Sequence, residues 1–149
     1  MKKRIFYSLI LIVTIVLLDQ STKYLARTYI QPFGSIQILP VLELVNVQNT
    51  GAAFGIFKSL GNVFFIVVSI SAIIFMFWII LTNREDYRFF SILAGGAMGN
   101  LIDRLMLGHV VDFIYFSVSG FYWPAFNVAD SALTMGVFLM MLSLIKKRG

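Results

Sequence analysis

Leu60 to Thr82 is a run of 23 residues without a single charged side chain. As a helix rising about 1.5 Å per residue it extends roughly 34 Å, enough to cross the hydrocarbon core of a bilayer. The rest of the chain agrees with a membrane setting. Of its 149 residues, 59% are hydrophobic and 13% charged, where an ordinary soluble domain is nearer about half and about a quarter. That balance excludes a water-soluble globule, a disordered chain and a nucleic-acid-binding module. The absence of cysteine excludes a disulfide framework, a thiolate metal site and a thiol nucleophile. The length suits one membrane domain over residues 1–149.

Three weaker spans accompany the strong one. Ile5 to Leu18 is uncharged, and its pattern continues through Asp19 and Lys23 to about Tyr29. Phe89 to Leu107 is interrupted by Asn100, Asp103 and Arg104, and Ser131 to Ile145 reaches spanning length only with Val128 to Asp130. The expectation is four helices over 5–29, 60–82, 88–107 and 128–146, with extracytoplasmic segments at 31–58 and 108–127. Lys2-Lys3-Arg4 ahead of an apolar run also resembles a secretory signal peptide. No small-x-small cleavage site follows, so the segment is expected to remain as the first helix. Eight of the twelve basic residues (Lys2, Lys3, Arg4, Arg84, Arg88, Lys146, Lys147 and Arg148) fall on one side of a four-span chain. Lys23, Arg27, Lys58 and Arg104 fall on or near the other, so both termini are expected in the cytoplasm. Trp78 and Tyr87 suit the inner interface, and Tyr115, Tyr122 and Trp123 the outer one.

The first outer segment carries Pro32, Gly34 and Pro40, then Leu42 to Gln48, whose alternating end predicts a strand with one wet face. The second is aromatic, carries Pro124, and is expected to lie along the membrane surface. The inner loop, Asn83 to Arg88, is short.

Ionisable side chains inside a membrane cost on the order of 3 kcal/mol each, so Asp19, Lys23, Asp103, Arg104, Asp112 and Asp130 all ask for a reason. The topology gathers them at the outer leaflet, because Asp19 lies about 21 Å along an outward-going helix from Ile5. Structural roles compete with functional ones. Asp19 and Lys23 stand at i and i+4, the favourable order for a helical ion pair. Asp103 can neutralise Arg104. Gly95, Gly96 and Gly99 make a small-residue face that suits close helix packing. Asn127 can cap the last helix with Asp130 at its third position, as in a capping box. Asp112 has no such role among Val110, Val111, Phe113 and Ile114, where desolvation raises its pKa. His109, the only histidine, falls in a loop. Two carboxylates in a partly dry cleft, one ionised and one protonated, can activate water and polarise a peptide carbonyl. Metal ligation is weak with one histidine and no cysteine, and no cofactor is called for. Proton- or ion-coupled transport is the alternative. It is disfavoured because the acids occupy one half of the membrane only.

Five motifs occur in order: Asp19-Gln20-Ser21-Thr22-Lys23, Asn49-Thr50-Gly51-Ala52-Ala53-Phe54-Gly55, Gly95 to Arg104, Val111-Asp112-Phe113, and Phe126-Asn127-Val128-Ala129-Asp130. In both motif order and hydropathy, nearly the whole chain resembles the bacterial lipoprotein signal peptidase (signal peptidase II) family. The resemblance implies an all-α integral membrane protein of four transmembrane helices, with a small extracytoplasmic β-cradle and a short surface helix. It further implies an aspartic endopeptidase of the bacterial inner or plasma membrane. Such an enzyme removes the signal peptide of a prolipoprotein just before a cysteine carrying a diacylglyceryl group. By that resemblance Asp112 and Asp130 are the catalytic pair. Asp19, Asn49, Gly51, Asn100, Arg104 and Asn127 line the site or hold substrate, with Lys23 and Asp103 in support. The first outer segment would be the cradle, and the aromatic stretch before Pro124 the surface helix. The implied partners are lipid-modified prolipoproteins and membrane lipid, with no nucleic acid, and the protein is expected to be a monomer.

The charge asymmetry makes a direct prediction. In intact cells, a membrane-impermeant thiol reagent should label a cysteine introduced at position 46 and spare one at position 85. The opposite pattern would reverse the orientation.

Overall fold

The computed structural model describes residues 2–32, 34–51, 61–82, 87–118 and 120–148. Leu60, Ala52 to Gly55 of the second motif, Lys58, and Asn83 to Asp86 of the inner loop, Arg84 included, lie outside the described residues. The helices are α1 (Lys2–Tyr29), α2 (Gly61–Thr82), α3 (Tyr87–Leu107) and α4 (Val128–Arg148). Their bounds fall within three residues of the expected ones. Among the described residues, α1, α2 and α4 are long and apolar enough to cross a membrane.

The third helix fails that test for a structural reason: it is the one the others surround. It packs against α1, α2 and α4, and buries Ser91, Leu93 to Ala97, Gly99, Asp103 and Arg104. A helix shielded from lipid by its neighbours can carry the polar residues that a lipid-facing helix cannot. The apolar core lies toward its N-terminal half, where Leu93, Ala94 and Ala97 meet Ile12, Met76 and Ile80. Glycines set the spacing. A Cβ on Gly95 would stand 2.9 Å from the Cβ of Ile15, and one on Gly99 would stand 2.6 Å from Oδ2 of Asp19. A Cβ on Gly96 would stand 2.6 Å from the carbonyl oxygen of Ala129 on α4. These glycines pack helices, and at Gly99 what packs against the bare Cα is the carboxylate of Asp19. Gly108, at φ +78, ends α3 in the left-handed conformation that favours glycine.

Both segments expected outside the cytoplasm fold into one antiparallel sheet, β1 (Ser35–Leu39), β2 (Leu42–Asn49), β3 (Val110–Val118) and β4 (Phe121–Phe126), in that spatial order. The first segment therefore holds two strands rather than one. The surface helix expected before Pro124 is not formed, because the described residues of that stretch are β3 and β4. Val110-Val111 and the aromatics that follow are strand formers, and hydrogen bonding to β2 settles the choice. Pro124 is tolerated because β4 is an edge strand. Phe113 of β3 packs with Ala26 and Ile30, seating the sheet on the end of α1. Asn46 contributes to the same junction: it is buried and donates from Nδ2 to the Ile30 carbonyl at 2.9 Å. A cysteine at 46 would therefore be shielded, and Tyr122, 69% exposed, is the better outer labelling position.

Gly96→Ala forces a methyl against backbone, which no side-chain rotation relieves. It should destabilise the folded protein by about 1–3 kcal/mol, as overpacked core positions do, read as a lowered unfolding temperature in detergent. An unchanged midpoint would mean that α3 and α4 have room to part.

Candidate active site

The geometry starts at the N-terminus of α4, whose first N–H groups need acceptors. Asn127 supplies one, with Oδ1 accepting from the Asp130 N–H at 2.9 Å. Asp19, from the far end of the sequence, supplies another, with Oδ1 accepting from the Ala129 N–H at 2.8 Å. The expected cap is present, but no reciprocal bond from Asp130 back to Asn127 completes a capping box. The Asp130 carboxylate instead accepts from Nδ2 of Asn100 at 2.8 Å through Oδ1.

Three asparagine amides aim their NH2 groups at the two acids, and each is held by a donor on its oxygen side. The N–H of Gly51 holds Oδ1 of Asn49 at 2.9 Å, leaving Nδ2 to reach Oδ2 of Asp112 at 2.9 Å. The cap to Asp130 holds Oδ1 of Asn127, leaving Nδ2 to reach Oδ1 of Asp112 at 2.7 Å. The ammonium of Lys23 holds Oδ1 of Asn100 at 2.9 Å, and Lys23 has donors only. Reversing that amide would set NH2 against NH3+.

Lys23 is 1% exposed, and also touches Oδ2 of Asp19 at 2.8 Å and Oδ2 of Asp103 at 3.1 Å. The helical pair read from the sequence is thus one arm of a buried cluster shared by α1 and α3. The expected pairing of Asp103 with Arg104 is not made. Asp103 serves Lys23, the Val111 N–H at 2.9 Å and Gln20 at 3.0 Å. Neighbours one residue apart on a helix point in different directions, and Arg104 points the other way. Its guanidinium donates to the Gly51 carbonyl at 2.6 Å and stacks 4.3 Å from the Phe65 ring centroid.

A cavity of about 890 Å³ opens between α2 and α4, which both pack on α3. Asn49, Gly51, Asn100, Arg104 and Asp130 line it. Asp112 stands just behind that wall, 2% exposed, between the amides of Asn49 and Asn127. Burial, reinforced by the charge of Asp130, pushes its pKa up to about 7 against the pull of those two amides and of Lys23. Asp19, Lys23, Asp103 and Asn127 are buried supports rather than wall. His109 lies in the bend between α3 and β3.

Sequence reasoning missed Gln20 and Asn62. Gln20 Nε2 lies 3.2, 3.1 and 3.0 Å from Asp19, the Gly99 carbonyl and Asp103. Asn62 donates to the Arg104 carbonyl at 2.9 Å, tying the first turn of α2 to the end of α3. A lone amide opening an apolar span was the available signal.

Comparison with known proteins follows the same outline. A family model described as signal peptidase (SPase) II matches residues 11–146. The lipoprotein signal peptidase of Thermodesulfovibrio yellowstonii is 42% identical over 147 residues, 99% of this chain and 100% of that protein. A Staphylococcus aureus lipoprotein signal peptidase is 39% identical over 145 residues, 93% of this chain and 88% of that one. A solved structure, a bacterial membrane enzyme determined by the in meso method, superposes with a TM-score of 0.88 at 35% identity, covering 97% of this chain and 91% of its own. A second of the same description gives 0.84 at 36% identity, covering 95% and 94%.

Removing the ammonium while keeping the side-chain volume tests the cluster. Lys23→Met leaves Asp19 and Asp103 buried together without a cation, a loss worth about 3–5 kcal/mol for a broken buried pair. Adding Asp103→Asn should restore part of that stability. A Lys23→Met protein as stable as the parent would show that the ammonium is not what holds α1 to α3.

Proposed function

The chain belongs to the signal peptidase II family, and on that premise we propose that Asp112 and Asp130 cleave the signal peptide from diacylglyceryl-modified prolipoproteins, cutting just before the lipidated cysteine. It is a bacterial membrane peptidase, and nothing in its relatives supports the transporter alternative. The observation that carries aspartic catalysis is the amide network. Asn100 and Asn127 join the carboxyls of Asp112 and Asp130, which come from different elements, at the wall of a cavity between two apolar helices.

The division of labour follows from the surroundings. Asp130 sits in the first turn of α4, where the helix dipole favours a negative charge. Only its Oδ1 is hydrogen-bonded among the described residues, and it lines the cavity, so it is the base that draws a proton from water. Asp112, with its raised pKa, is the acid that donates to the scissile carbonyl oxygen. Water oxygen bonds to the carbonyl carbon. The C–N bond then breaks as the proton held by Asp130 passes to the departing cysteine nitrogen. Asp112 recovers its proton from the collapsing tetrahedral intermediate. Because Asp112 lies behind Asn49 and Gly51, substrate must shift that turn to reach it.

A signal peptide is itself an apolar helix, matched to the gap between α2 and α4, where Phe65, Val68, Ala72, Met76 and Phe138 face the cavity. In this reading α3 is the fourth span and both termini are cytoplasmic. The site then faces the outer leaflet, where the scissile bond of such a substrate arrives. One copy of the chain contributes every residue named, which suits a monomer.

Asp112→Asn and Asp130→Asn should each abolish cleavage of a lipid-modified prolipoprotein by the purified, folded protein, since an amide cannot move the required proton. Normal cleavage by either variant would remove that residue from the mechanism. Infrared difference spectra with labelled aspartate assign the proton. The protonated-carboxyl band near neutral pH should vanish in Asp112→Asn and persist in Asp130→Asn, and the reverse would exchange the two roles. The band should fade as pH rises through about 7, the titration belonging to the pair as a whole.

A further inference from the structure

A second groove, of about 510 Å³, runs along the outside of the α1–α3 contact at the end of the molecule away from the acids. Tyr7, Ile10, Leu11 and Thr14 of α1 and Tyr87 and Arg88 of α3 line it. On α1 these residues form one stripe, and Lys3, one turn before Tyr7, continues it at i−4. The groove therefore has an apolar slot, a pair of tyrosines above it and the cation of Arg88 in its wall, with Lys3 one helical turn beyond Tyr7 on the same face. Both cations are exposed. Among the described residues no carboxylate pairs with either of them, and Arg88 engages only Tyr87, with Nε 3.2 Å from its hydroxyl.

We propose that this groove is a binding site for one anionic phospholipid, with an acyl chain along Ile10, Leu11 and Thr14 and the phosphate between Lys3 and Arg88. The chemistry on each part of the wall selects that occupant. An apolar slot on the lipid-facing surface takes a hydrocarbon chain. Tyrosines favour the headgroup boundary, where one end of the ring is wet and the other dry. Two exposed cations, neither paired with a carboxylate among the described residues, favour a headgroup with net negative charge over a zwitterion. A soluble anion would satisfy the cations but leave the slot empty, and a neutral lipid would do the reverse. The site lies about 18 Å along α1 from Asp19, at about 1.5 Å per residue from Tyr7, and does not depend on the peptidase reading. Its occupant would bridge α1 and α3, adding to the packing that holds Asp19 against Gly99.

Native mass spectrometry of the protein released from detergent tests this with phosphatidylglycerol, with phosphatidylcholine of the same chains, and with inorganic phosphate as competitor. The parent protein should retain one phosphatidylglycerol at concentrations where phosphatidylcholine is lost, and millimolar phosphate should not displace it. Lys3→Gln and Arg88→Gln should each weaken retention about fivefold, the weight of one basic residue at an anionic surface. Leu11→Trp fills the slot while leaving both charges, and should also reduce retention. Unfolding midpoints in lipid-free detergent, and cleavage activity, show that each variant is folded. Equal retention of the two lipids, displacement by phosphate alone, or unchanged retention in both the charge and the slot variants would overturn the proposal.

Discussion

A buried ammonium is tolerable only when every N–H finds an acceptor, and Lys23 finds three: two carboxylates and the oxygen of Asn100. Much of the site's polar order follows from that demand. Because Lys23 takes the oxygen of Asn100, the amide must present its NH2 to Asp130. Because Lys23 and Gln20 draw on Asp19 through Oδ2, Oδ1 is left for the first turn of α4. Because Asp103 is drawn to Lys23, Arg104 is left to face the cavity and Gly51. The ammonium never approaches the cavity, yet it decides how the groups at the wall are oriented. Breaking such a pair costs more than forming it gains, so the cluster acts chiefly as a constraint on geometry.

The architecture serves the same end. Three apolar helices enclose a fourth that could not face lipid, and the enclosed helix carries Asn100, Asp103 and Arg104. Glycine makes that possible: without a bare Cα at Gly99, Asp19 could not lie against α3 closely enough for its α1 neighbours Gln20 and Lys23 to reach Asp103 in one layer. The packing and functional readings of those glycines are therefore one reading at two scales. The sheet supplies what helices cannot, since it brings Asn49 beside Asp112 from a segment that lies before α2.

Much of this was legible in the chain. Spans follow from uninterrupted hydrophobicity, and the four helices fall close to the bounds read from it. The cap at Asn127 and the desolvation of Asp112 are local effects of neighbours in sequence, which is why both could be argued without coordinates. Where the sequence misled, the cause was a partner distant in the chain. Adjacency in sequence pairs Asp103 with Arg104, whereas Asp103 meets a lysine from α1. The aromatic stretch before Pro124 suggests a surface helix, yet its first part, β3, pairs with β2, whose strand character is visible in the sequence while its partner is not. Amide orientation was invisible in principle, because it depends on which donor faces which oxygen.

The bond between the Ala129 N–H and Asp19 spans 110 residues, and the sheet closes the two outer segments across α2 and α3. Contacts of such long range form late, because the intervening chain must be in place before they can be made. During synthesis, a chain that has emerged only through β3 already holds its lysine cluster and Asp112, but not Asn127, Ala129 or Asp130. The last helix to enter the bilayer brings the second acid, the cap and the amide that steadies the first acid, all within four residues of one another. If the two acids work as proposed, a centre arranged this way cannot be half-built in an active form, and the unfinished polypeptide passes through the membrane machinery chemically silent.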